Sequence, residues 1–119
     1  MPSKKWKAAK GRKKSTIIMI LIYTTCKNTD EAREMATKLL SEKVAAGVDI
    51  FPIYSIHRDS GQVKGVNAAS MIVKTEERKI QQVNDVLRQT NTEFEPRVVS
   101  FKPFRINQEF KEWVTTSVA

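Results

Sequence analysis

At 119 residues and 40% hydrophobic composition, the chain suits one folded domain and is too short to divide into two that each bury a core. Its formal charge of +8 is uneven: residues 1–16 hold seven of the 21 basic side chains (Lys4, Lys5, Lys7, Lys10, Arg12, Lys13 and Lys14) and no acid, so the remainder is nearly neutral. No apolar run approaches the roughly 20 residues of a membrane span, and a single Cys26 excludes an internal disulfide framework or a thiolate metal cluster within one chain.

Residues 1–16, MPSKKWKAAKGRKKST, have too little to bury and are expected to form a disordered basic arm, with the domain over 17–119. Three roles are open for the arm: a solubilising extension, an address, or nonspecific nucleic-acid contact through residues 4–14. The following run, IIMILIYTT from Ile17 to Thr25, is short, β-branched and without a small-residue cleavage site. That makes it a buried central strand rather than a signal-peptide core.

Asn28 and Glu31 then have N-cap and N3 spacing, and Ala32, Met35, Ala36, Leu39, Leu40 and Val44 recur at helical intervals. Gly47 is the expected stop. Strand chemistry resumes from Val48 to Arg58, where Pro52 removes a ladder donor and predicts a bend or bulge. Asp59, Ser60 and Gly61 read as a hairpin turn, and Gln62–Lys74 as a long returning strand whose outer half, with Gly65, Ala68 and Ala69, is thin. Such a ribbon cannot hide its own edges and needs another surface.

Thr75 can cap a second helix, from Glu76 to about Thr90, with Ile80, Val83, Val86 and Leu87 on one face. Phe94–Phe104 reads as a fourth strand bounded by Pro96 and Pro103, and Asn107 caps a short helix carrying Phe110, Trp113 and Val114. The order is that of an α+β, ferredoxin-like βαββαβ sandwich with a long β-hairpin and a short C-terminal helix. Its open sheet face must be wetted, bound to a ligand or covered by another subunit.

From Ile17 to the C-terminus the chain resembles the CutA family, the divalent-cation tolerance proteins. The resemblance is carried by Thr25 with Asp30, Glu31 and Ala32; Ser41-Glu42-Lys43-Val44-Ala45-Ala46; Ile50-Phe51-Pro52; Ser55 and Arg58 before Gly61; Lys74-Thr75; Pro96; and Glu112-Trp113. It implies a PII-like homotrimer held by the hairpin, with Phe51, Pro52, Arg58, Gly61 and Trp113 at the hairpin and trimer contacts. It also implies a role in tolerance of, or response to, a divalent metal ion such as copper, and the single Cys26 fits a reducing, cytoplasmic compartment. The chain departs from the family where His57 and Asp59 replace an aromatic pair, where Val63-Lys64-Gly65 replaces an acidic run, where Gly47 replaces a cysteine, and at Asn91-Thr92-Glu93.

Imidazole and sulfur suit copper, so Cys26 and His57 are the metal candidates; Met35 and Met71 fall on core faces. One histidine without a nucleophile motif, and Asp49, Asp59, Glu93 and Glu95 without a pairing, give no catalytic constellation. Four glycines with no phosphate loop argue against nucleotide binding, and Tyr23 alone in the first strand lacks the aromatic pattern of an RNA-binding sheet. The expected function is therefore a non-catalytic structural or signalling trimer; metal buffering through Cys26 or His57, or polyanion binding through the arm, are the alternatives.

Overall fold

The hydrophobic periods alternate between two and 3.6 along the chain, and the elements follow them. The computed structural model describes residues 17–90 and 97–119. In order these form β1 (Met19–Cys26), α1 (Thr29–Ser41), β2 (Gly47–Asp59), β3 (Gln62–Glu76), α2 (Ile80–Thr90, entered through a 3-10 turn, Glu77–Lys79), β4 (Val98–Phe101) and α3 (Gln108–Ser117). The strands make one antiparallel sheet ordered β2-β3-β1-β4, so β1 is central as its unbroken apolar run requires. The expected arm over 1–16, and Asn91, Thr92, Glu93, Glu95 and Pro96, lie outside the described residues.

Pairing decides which side chains share a face. Ile20, Ile22 and Cys26 of β1 stand with Ala69, Met71 and Val73 of β3 and pack on Ala32, Met35 and Leu39 of α1 and Val83, Val86 and Leu87 of α2. Met35 and Met71 are core side chains, as expected. Each large side chain buried this fully contributes on the order of 2 kcal/mol of transfer free energy.

The opposite face is not left bare by its own chain. Met19 and Ala46 pack with Val114 and Val118, joined by Leu21, Ile106, Phe110 and Trp113, so α3 closes the end of the sheet that carries Met19. The Asn107 side chain caps α3 by accepting from the Phe110 N–H at 3.2 Å.

Several local expectations are corrected. α1 begins as predicted, with Asn28 accepting from the Glu31 N–H at 2.8 Å and Glu31 accepting from the Lys27 N–H at 2.9 Å. It stops short of the glycine, however, at Lys43 with φ 59°, where the Val44 N–H bonds Leu39 O and the Lys43 N–H bonds Leu40 O, both at 3.0 Å. That is a Schellman stop, and Val44 meeting Leu39 in the core offsets the cost of a left-handed lysine. Gly47 instead admits Trp113, whose ring carbon lies 3.0 Å from where a Cβ would stand.

Pro52 produces no bulge: the register runs unbroken from Gly47↔Lys74 to Asp59↔Gln62. β2 is an edge strand, where a residue without N–H is tolerated if its nitrogen faces outward. Thr75 caps no helix. It sits inside β3, fully buried, and its hydroxyl donates to Val44 O at 2.6 Å, because β1 extends the pairing as far as Met19↔Glu76. β4 ends at Phe101 rather than at the predicted Phe104, while residues 94–96 of the predicted strand lie outside the described residues.

Candidate functional site

The ribbon outruns its sheet. β1 pairs with β3 no further than Cys26↔Ala69, so Gln62–Ala68 has β2 as its sole partner among the described residues. At 3.4 Å per residue this two-stranded arm projects about 24 Å. Its turn is local chemistry: Ser60 at φ 52° and Gly61 at φ 79° are both left-handed, as a two-residue type I′ hairpin requires. Lys64 and Asp59 form an exposed ion pair at 3.4 Å beside the turn, contributing no more than about 1 kcal/mol.

One face of the arm presents Tyr54, Ile56 and Val63, which are 64%, 66% and 70% exposed; the other presents Val66, with Phe51 on the same side just inside the sheet. The Tyr54 ring lies across Gly65, where a Cβ would overlap its hydroxyl. Gly65 therefore lets an aromatic side chain lie flat on its neighbour strand rather than weakening it. Arg58 shares the Tyr54 face, and Pro52 is exposed at the root of the arm. Of the five residues expected at hairpin and trimer contacts, Trp113 is the one that packs within its own subunit, against Gly47 and stacked at 6.0 Å on Phe110.

Where the arm leaves the sheet, on the face away from α1 and α2, lies a concavity of about 260 Å³. Tyr23, Thr25, Ile53, Ser55, Val66 and Val99 line it, and His57, Arg97 and Cys26 also border it. The two metal candidates thus meet one concavity but do not turn toward one another. Cys26 pairs with Ala69 on the helix face, 3% exposed, with Sγ 3.9 Å from Met35 Sδ. His57 pairs with Lys64, on the other face, and is exposed. A single ion cannot take both as ligands within one protomer. Burial, and secondarily the Glu31 carboxylate, push the Cys26 thiol up from 9.0 to about 11, so it stays protonated and a poor ligand at neutral pH. Among the described residues no three His, Cys, Asp or Glu side chains converge as a metal centre would need. The remaining polar feature of the ribbon is at its base, where Lys74 Nζ stands 2.9 Å from Asp49.

What sequence reading missed is that the concavity also draws on Arg97 and Val99. The signal was available: Val99 alternates with Val98 on an edge strand, which leaves every second residue on the uncovered face.

A four-stranded antiparallel sheet in the order β2-β3-β1-β4, two helices behind it and a projecting ribbon define a ferredoxin-like α+β protein with an extended hairpin. Within that class the chain belongs to the CutA1 family: the family model, described as CutA1 divalent ion tolerance protein, matches residues 20–117. It is 33% identical over 97 residues to the divalent-cation tolerance protein CutA of Archaeoglobus fulgidus, spanning 82% of this chain and 95% of that one. To its counterpart in Thermotoga maritima it is 29% identical over 100 residues, spanning 84% and 99%. The solved structure of the periplasmic divalent cation tolerance protein CutA from A. fulgidus matches with a TM-score of 0.81 at 31% identity, covering 86% of this chain and all of that one. CutA1 from Ehrlichia chaffeensis matches in fold with a TM-score of 0.82 at 23% identity, covering 87% and 97%. Among the described residues no helix is long and apolar enough to cross a membrane.

Proposed function

We propose that this chain is a non-catalytic homotrimer of the divalent-cation tolerance family, assembled through its arm, with copper as the metal to which it responds. The observation that carries this reading is the exposed apolar ribbon of Tyr54, Ile56 and Val63. A two-stranded hairpin is marginal alone, and such side chains call for a second surface. β4 supplies a matching one, an edge strand whose Val99 and Phe101 are 51% and 53% exposed. Laying the arm of one subunit along β4 of the next is a head-to-tail contact, which closes into a ring when the rotation allows. Sedimentation equilibrium at micromolar concentration should give three times the mass of the chain, and Ile56→Asp should give one. A monomeric unsubstituted protein would falsify the assembly.

The metal part of the reading rests on the names of the A. fulgidus and T. maritima relatives, both divalent-cation tolerance proteins, and on the exposed imidazole of His57. His57 and Asp59 share one face near the arm's tip, an imidazole and a carboxylate that a trimer would present three times. Calorimetric titration with Cu(II) should show saturable binding that His57→Ala weakens and Cys26→Ser leaves unchanged. Cytoplasmic residence belongs to the same reading, supported by a free, buried cysteine; rice and Arabidopsis relatives are named chloroplastic, so cell fractionation is the direct test. Residues 1–16, outside the family match, are read as a separate basic arm for nonspecific nucleic-acid contact.

A further inference from the structure

We infer that the segment joining β4 to α3 is a binding site for single-stranded nucleic acid, with Phe104 as a stacking platform and Lys102, Arg105 and Lys111 as phosphate contacts. This deepens the reading of the basic arm by giving it a folded counterpart. Pro103 follows the end of β4, so Phe104 has no strand register that would bury it, and its ring is 92% exposed, more than any other large apolar side chain described. The Arg105 guanidinium lies over the ring, 5.4 Å from its centroid. That contact orients the phenyl group and places a cation beside it, while the exposure leaves ring surface free for a second planar partner.

The surroundings match. Lys102, Phe104, Arg105, Asn107 and Lys111 line a concavity of about 700 Å³. Among the described residues, the one ion pair these cations make joins Lys102 to Glu77 at 3.3 Å, with both side chains around half exposed, and a phosphate can displace a contact of that kind at little cost. Ile17 lines the same concavity, and it is the residue to which the seven-base, acid-free segment 1–16 is joined. An aromatic face flanked by cations reads a base that has left its stack, whatever its identity, so a single strand is preferred over a duplex and sequence matters little.

Fluorescence anisotropy of a labelled oligothymidylate and of a labelled duplex, titrated with the full chain, tests this. Phe104→Ala should weaken single-strand binding by about tenfold and leave duplex binding unchanged. The double substitution Arg105→Gln with Lys111→Gln should lower the slope of log affinity against log salt by about 1.4. A full-length chain with Lys4, Lys5, Lys7, Lys10, Arg12, Lys13 and Lys14 replaced by serine separates this site from the arm. Residual single-strand binding in that chain that still depends on Phe104 supports the site even if the arm contributes nothing. Binding that vanishes with the arm charges and ignores Phe104 overturns the site and leaves the arm reading standing. Absence of binding by the unsubstituted chain overturns both, and dependence on Phe104 for phosphatidylserine vesicles but not for oligothymidylate assigns the ring to a membrane surface instead.

Discussion

The inner and outer halves of one ribbon make opposite use of the same pairing. From Ala69 to Lys74, β3 lies between two strands and beneath α1, and Ala69, Met71 and Val73 are fully buried. From Gln62 to Ala68 the register continues without a break, yet Val63 is 70% exposed. The backbone is equally regular in both halves. What differs is whether the chain itself provides a covering layer, so regular pairing alone says nothing about where the stabilising burial is found. In the inner half it is within the subunit; in the outer half, among the described residues, no second layer supplies it.

Substitutions can break that contrast, and the inner half should respond most. Met71→Ala removes a fully buried side chain and should cost about 2–5 kcal/mol, read as a lower urea midpoint, whereas Val63→Ala should leave the protomer's midpoint nearly unchanged. Equal losses would dissolve the distinction. Next comes Ile56→Asp, expected to shift sedimentation mass while the circular dichroism of the folded subunit is retained. Gly61→Ala places a side chain at φ 79° and should cost about 1 kcal/mol, since alanine enters that region poorly. Because the turn is what sets the register of the outer half, hydrogen exchange should speed up there and remain slow in the inner half.

The last expected effect, confined to alkaline pH, concerns Cys26. Its thiol titrates near 11 in the folded protein against 9.0 for an unperturbed thiol, so the folded state holds the proton more tightly. That contribution to stability is complete below pH 9, and it is lost as pH rises from about 9 through about 11. Cys26→Ala should flatten the stability profile in that interval relative to the unsubstituted chain. A thiol labelled rapidly by iodoacetamide at pH 8 would contradict the burial on which this rests.

Most of the frame was legible because local and tertiary signals agree there. Asn28 with Glu31, the apolar faces of α1 and α2, Gly61 in its turn and Asn107 as a cap all act within a few residues of themselves. The misreadings came where a distant partner decides. Thr75 has cap chemistry, but pairing with β1 and the Val44 carbonyl hold it in a strand. Gly47 looked like a helix stop and is a gap for Trp113, 66 residues away in sequence. Pro52 pointed to distortion, and its edge position makes distortion unnecessary. In the candidate site, His57 and Cys26 are each named from ligand chemistry alone, and it takes the register to show that they stand on opposite faces. Phe104 was absorbed into a predicted strand that stops at Phe101, although the string Lys102-Pro103-Phe104-Arg105 already set an aromatic between cations at a strand terminus.

The Ser60–Gly61 turn has a kinetic consequence. Two residues close a hairpin whose strands are adjacent in sequence, a search that takes on the order of microseconds and requires no other subunit. In the proposed trimer the arm would therefore acquire its shape before any encounter, which lowers the entropy lost on association. Refolding should accordingly separate in time, with a fast step independent of concentration in which the ribbon and body form, followed by a slower one whose rate rises with protein concentration.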